Sequence, residues 1–264
     1  MTPSSTEMPV LFVGHGSPLN AIEDNQFSRG WGKMGSRIPP PRAILSISAH
    51  WYIDETRLLS AEHPRTIHDF WGFPEELYQV QYPAPGSPST AELTSKLIKT
   101  QPADLDDSWG LDHGTWTVLT HMYPKGNVPV SQLSVNYRLP NEMHFKIGKE
   151  LKRLRNQGVL IMGSGNLVHN LGMISWHHRE AGFPWAEEFD EVLKSLIIAR
   201  EDEKLIQYIR LGKFARLSIP TPDHYWPLLY VLGASEPSEP IEIFNDECVF
   251  GSVSMTCVTI GSTG

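Results

Sequence analysis

The chain has 264 residues, 40% of them hydrophobic and 20% charged, with 30 acidic side chains against 22 basic ones and a net charge of −8. This is an ordinary globular mixture, long enough to bury a full core without disulfides or a structural metal, and it excludes a disordered or fibrous chain. An acidic chain without a basic run is a poor partner for nucleic acid or an anionic membrane. The densest basic stretch, 149–155, is interrupted by Glu150 and leucines and reads as a solvated helix face. No apolar run approaches the roughly 20 residues that span a bilayer. No basic region precedes the apolar run at the N-terminus, so no secretory signal is expected. The two cysteines, Cys248 and Cys257, form no CxxC motif and are expected as buried thiols in C-terminal strands, which fits a reducing cytoplasm.

Short β-branched apolar runs alternate with longer helical patterns. Strands are expected at 10–13 (VLFV), 43–49 (AILSISA), 128–135 (VPVSQLSV) and 159–162 (VLIM), each bounded by turn residues. Helices are expected at 89–99 and 141–156, where leucine, isoleucine and methionine recur at helical spacing, and then at 185–198, 203–211 and 222–232. The stretch 251–260 (GSVSMTCVTI) alternates like one strand. Segment 61–88 is rich in proline, glycine and aromatics and reads as a long ordered excursion. The alternation predicts an α/β fold: a single domain, residues 1–264, with a central mostly parallel or mixed sheet flanked by helices.

Histidine is the unusual count: 11, against 2 cysteines. Any metal here must be held by nitrogen and oxygen ligands. His15 follows the strand VLFV by one glycine, His50 ends AILSISA, and His169 comes just after VLIM and the turn GSGN. Ligands in α/β sheets bind outside the carboxyl ends of strands, so these three imidazoles are expected to share one crevice. His224 is a fourth candidate, in the first turn of a helix capped by Thr221 with Pro222 at its first position. His113, in WGLDHGTW, reads as a substrate-contact or acid/base residue, or as local packing of a glycine-flanked turn. His68 lines the pocket or pairs with Asp69. Three imidazoles suit zinc or ferrous iron with positions left open for substrate. The neutral ring is the ligating form, so metal affinity is expected to fall at acidic pH. Trp51, Trp116, Tyr225 and Trp226 suit a flat ring, or are core. Arg138 and Lys125 are candidate partners for a substrate carboxylate. GSGNLV (163–168) lacks the third glycine of a dinucleotide fingerprint, and Ser17 and Ser164 are not in a G-x-S-x-G elbow.

The motifs GHGSPLNAIEDN (14–25), SAHWY (48–52), TIHDFWGFP (66–74), YPAPGSP (82–88), WGLDHGTW (109–116), GSGNLVHNL (163–171) and TPDHYWPLLYVLGA (221–234) run nearly end to end. In these the chain resembles the class III extradiol ring-cleavage dioxygenases, within them the 4,5-DOPA dioxygenase group. The resemblance implies a mononuclear non-haem Fe(II) enzyme that opens catechols such as L-DOPA with O₂; bacterial members also carry zinc. By position it implies His15, His50 and His224 as metal histidines. It implies His169 as the acid/base beside the metal, ligating also when no substrate is present, and His113 as a pocket residue. The broader family completes its metal site with a glutamate, where this chain has His224 with Asp223 beside it. A zinc-dependent hydrolase and a non-catalytic metal-binding relative are the rival readings.

Overall fold

The computed structural model describes residues 7–263. Residues 1–6, the part of the N-terminus on which the absence of a secretory signal was argued, and Gly264 lie outside the described residues. In chain order the elements are β1 (Val10–Gly14), α1 (Gln26–Arg37), β2 (Ala43–Ile53), β3 (Arg57–Leu59), α2 (Glu75–Tyr78), α3 (Pro88–Leu97), β4 (Asp104–Asp106) and α4 (His113–Met122). They continue with β5 (Val130–Asn136), α5 (Asn141–Leu151), β6 (Val159–Gly165), α6 (Pro184–Ile198), α7 (Asp202–Ile206), α8 (Ala215–Ser218) and α9 (Trp226–Gly233). The chain closes with β7 (Ile241–Phe244), β8 (Cys248–Val249), β9 (Val253–Ser254) and β10 (Cys257–Ile260).

Eight strands form one mixed sheet in the order β4-β3-β5-β2-β6-β1-β10-β7. Its centre, β5-β2-β6-β1, is parallel, and β10 and β7 extend it antiparallel. Parallel strands are buried on both faces, which is why these runs read as continuously apolar rather than alternating. The two faces separate residue by residue. Val10, Phe12, Leu45, Ile47 and Ile161 pack with α5, α6 and α9; Leu11, Val13, Ile44, Leu160 and Met162 pack with Trp31 and Met34 of α1 and Trp116 and Leu119 of α4. Each fully buried large side chain of this kind contributes about 1.5–3 kcal/mol. All of α9 is buried, as expected of a helix that is apolar all round.

The α/β sheet and its central strands are as the sequence predicts, while four of the expectations differ in their bounds. First, β2 runs on through His50 to Ile53. Second, 251–260 is two short strands, because Ser254 and Thr256 turn their hydroxyls onto Asp190 of α6 and β9 pairs with β8 instead of extending β10. Third, the last expected helix starts at Trp226, not Pro222. The His224 carbonyl accepts from the Asn166 N–H at 2.9 Å, so it opens no helical turn, and Thr221 caps nothing. Fourth, 141–156 and 203–211 each end as a 3₁₀ turn. Strands β3, β4 and β7 and helices α1 and α4 had no expectation: the strands are only three or four residues long, three glycines dilute QFSRGWGKMGSR, and HGTWTVLTHM is rich in β-branched residues. Segment 61–88 is ordered, with only the short α2 and bridges Thr66–Leu111 and Gly86–Val130.

Candidate functional site

Five imidazoles meet at the carboxyl-end side of β1, β2 and β6, His50 from within β2 itself. Ring centroids of His15 lie 5.0 Å from His50, 5.6 Å from His113 and 5.3 Å from His224; His50 and His113 are 3.8 Å apart. His169 lies flat on His224, 3.5 Å between centroids and 11° between planes. The potential ligand atoms fall into two sets, His15 with His50 and His113, and His169 with Asp223 and His224.

Close approach of backbone makes this possible. A Cβ on Gly165, the last residue of β6, would stand 2.0 Å from the His224 carbonyl oxygen, so only glycine lets the His224 loop lie on that strand. The GSG run serves this contact rather than a phosphate. A Cβ on Gly114 would meet the Ser48 hydroxyl at 2.6 Å and the His50 ring at 2.9 Å, so glycine there lets the start of α4 seat against β2. Asp112 caps that helix on the Thr115 N–H and accepts from Ser48 Oγ and Gln132 Nε2, both at 2.7 Å. Burial and the nearby Asp69 charge push its carboxyl up to about 6, against those two hydrogen bonds.

The acceptors beside each Nδ1 assign the tautomers. His15 Nδ1 lies 3.0 Å from Ser164 Oγ, whose own proton is given to the Gly114 carbonyl at 2.5 Å. The serine oxygen therefore accepts, and His15 carries its proton on Nδ1. His50 Nδ1 lies 3.3 Å from Asp69 Oδ2, and His224 Nδ1 is hydrogen-bonded to Asp223. All three rings therefore turn a bare Nε2 away from their acceptors. His15 Nε2 and His50 Nε2 stand 3.0 Å apart. Two lone pairs at that distance repel unless a cation stands between them, and two imidazole nitrogens on one metal at about 2.1 Å are ~3.0–3.4 Å apart. The donor set thus fits a divalent metal.

Burial, then the neighbouring imidazoles, hold His15 and His50 well below the usual histidine range. His169 is lowered by burial and by His224, against the Asp223 charge. Neutral ligating rings therefore persist further into acid than for exposed histidines. Burial opposes ionisation of Asp69 and Asp223, but the hydrogen bond and charge of His113 on the first and of His224 on the second keep both carboxyls low.

His15, His50, His169, His224 and His113 are thus brought together. His68 is not paired with Asp69: its Nε2 donates to the Val80 carbonyl at 3.0 Å, and its ring packs with Phe70, Tyr78 and Trp116. All four aromatics expected around a substrate ring sit in the core, Trp226 with its indole hydrogen given to Asn141 Oδ1. Trp51, 2% exposed, stacks on Trp109; Trp116 and Tyr225, both 0% exposed, give their polar hydrogens to the carbonyls of Ile67 and Leu205. Phe70 instead faces the imidazoles, its ring 5.6 Å from His113. Arg138 is engaged with Asp54 on the surface. Asp69 and Phe70 are the residues that sequence reasoning missed; their signal was the ordered, aromatic-rich excursion that carries them.

An α/β sheet that gathers buried, neutral imidazoles at its carboxyl ends defines a candidate metal-dependent enzyme. The family described as the catalytic LigB subunit of aromatic ring-opening dioxygenase matches residues 10–256, and the chain belongs to it. Relatives called 4,5-DOPA dioxygenase extradiol include one from Escherichia coli (strain K12), 46% identical over 98% of this chain and 96% of its own length. Another, from Beta vulgaris, is 36% identical over 96% of each chain. A crystal structure of an uncharacterised Escherichia coli K12 protein superposes with a TM-score of 0.84 at 41% identity, covering 96% of this chain and all of the other.

Proposed function

We propose that the protein is an extradiol dioxygenase that opens the ring of catechols such as L-DOPA, incorporating both atoms of O₂, with residues 1–264 acting as one catalytic domain. The observation that carries this is the gathering of His15, His50, His113, His169 and His224 at one end of the sheet, neighbouring ring centroids 3.5–5.6 Å apart, in a chain of the ring-opening family. His15, His50 and His224 would hold the metal, with His169 an added ligand when no substrate is bound. Bound Fe(II) supplies Lewis acidity toward the catechol oxygens and a redox couple that zinc lacks.

The chain's own residues do the rest. None of the described residues hydrogen-bonds the His169 ring, so its nitrogens are free to take a catechol proton and return one to the opened product. Its lowered pKa keeps it a base at neutral pH. His113, backed by Asp69, presents its other nitrogen toward substrate, and Phe70 supplies an apolar wall with His68 behind it. The product is a yellow ring-opened semialdehyde.

The test is anaerobic reconstitution with Fe(II), then L-DOPA and O₂. Yellow product with matching O₂ uptake is expected, and neither with Zn(II). No uptake with any of a panel of catechols overturns the reading, and turnover without O₂ would point to a metal-dependent hydrolase. His169→Ala should keep iron and lose about 100-fold or more in kcat; normal turnover would remove its acid/base role. We place the protein in the cytoplasm, on the support of two free buried thiols. No helix among the described residues is long and apolar enough to cross a membrane.

A further inference from the structure

One carboxylate touches two of the site's imidazoles. Asp69 Oδ2 lies 3.3 Å from His50 Nδ1; Asp69 Oδ1 lies 3.0 Å from His113 Nδ1 and also accepts the His113 backbone N–H at 3.0 Å. We propose that Asp69 is a positioning residue of the active site: it fixes the tautomer and angle of the metal-facing His50 and seats the pocket His113 against it. This rests on the reading of the site as a metal-dependent dioxygenase.

Asp69 can do this because its irregular segment is tied down like a strand. The Ile67 N–H donates to the Leu111 carbonyl at 2.7 Å, Leu111 N–H to the Arg65 carbonyl at 2.8 Å, and the Trp116 indole to the Ile67 carbonyl at 2.8 Å. Two residues later the chain is still anchored on both sides, by the His68 ring on Val80 and the Phe70 ring on His113. The carboxylate between them faces β2 and the start of α4. Its relation to His50 is that of Asp223 to His224 and of Ser164 to His15: an acceptor on Nδ1 that leaves Nε2 bare. Acceptors behind metal-ligating histidines set ring orientation and basicity, and their loss typically costs 10–100-fold in metal affinity. Asp69 differs from the other two in serving a second ring, so its loss should also disturb the substrate side.

The experiment titrates metal-free protein with Zn²⁺ against a chromophoric chelator and records the visible spectrum of the Co²⁺ form. The Fe²⁺ enzyme is then assayed for kcat and KM. Asp69→Asn keeps an oxygen for the His113 N–H but loses the charge and the second acceptor. It should bind Zn²⁺ about tenfold more weakly, shift the Co²⁺ bands and raise the catechol KM; Asp69→Ala should weaken Zn²⁺ binding 10–100-fold. If Asp69 only closed the loop, Asp69→Asn would match wild type in Zn²⁺ affinity, Co²⁺ spectrum and KM, and that result overturns the proposal. Should Asp69→Ala not fold, Asp69→Asn carries the test alone. Wild-type protein that binds Zn²⁺ but opens no catechol in its Fe²⁺ form defeats the dioxygenase reading, whereas unchanged metal binding in folded variants defeats the role of Asp69.

Discussion

Two of the buried polar clusters in the molecule are opposites. Around Asp190 of α6, 2% exposed, the carboxylate accepts from Ser254 Oγ at 2.5 Å and Thr256 Oγ1 at 3.0 Å and lies 3.3 Å from Lys194 Nζ. That ammonium also reaches Glu191 at 2.9 Å and Asp246. Donors meet acceptors throughout, and nothing is left facing inward. In the histidine cluster His15 and His50 each have an acceptor beside Nδ1 and turn Nε2 toward the like atom of the other. Buried polar groups are normally paired. A closed network therefore holds a fold together, while a convergent set of unpaired lone pairs describes a ligand.

Two substitutions test this contrast, and a third tests a buried histidine outside both clusters. The largest effect belongs to the open cluster: His15→Ala should lose more than the about 100-fold in Zn²⁺ affinity typical of a lost supporting partner, with catechol turnover abolished. Chelator competition and O₂ uptake measure both, and tight metal binding in this variant would remove His15 from the ligand set. Next, Asp190→Ala should destabilise by about 3 kcal/mol in denaturant unfolding, since it strands two hydroxyls and part of an ammonium. Its Zn²⁺ affinity should match wild type; a loss there would erase the distinction between the clusters.

The smallest effect concerns His144, buried against Trp226 and hydrogen-bonded to Tyr230, whose pKa burial lowers to about 3. The unfolded chain takes up this proton below about pH 6.5 and the folded one does not until about pH 3. Stability is therefore fully present above pH 6.5 and falls with pH inside that window, by about 2 kcal/mol between pH 7 and 5. His144→Gln should remove that part of the pH dependence in unfolding curves; an unchanged slope would show that His144 is protonated in the folded protein.

How much was legible in the sequence follows from the same geometry. His15, His50 and His169 were placed by strand period and turn residues, because a parallel strand delivers its next residues to one end of the sheet. His224 was found for a partly wrong reason, since it precedes its helix and is seated by Gly165. Asp69 was hidden because irregular backbone has no period to read; the signal was only that the segment was too apolar to be disordered. Trp116 and Tyr225 looked like ring-binding residues because composition does not say which way a side chain turns, and their indole and phenol hydrogens were already claimed by backbone carbonyls.

The three imidazoles with pinned Nδ1 come from the residue after β1, from β2 and from the loop before α9, segments far apart along the chain that meet only when the sheet is assembled. The unfolded chain has no equivalent of this arrangement, so a bound metal ion would draw on the folding equilibrium itself. At a free concentration 100 times its dissociation constant, such an ion adds about 2.7 kcal/mol to the stability of the native state. Resistance to unfolding then becomes a gauge of occupancy. Metal-starved molecules would be the first to melt or be degraded, so that the surviving population is enriched in loaded protein.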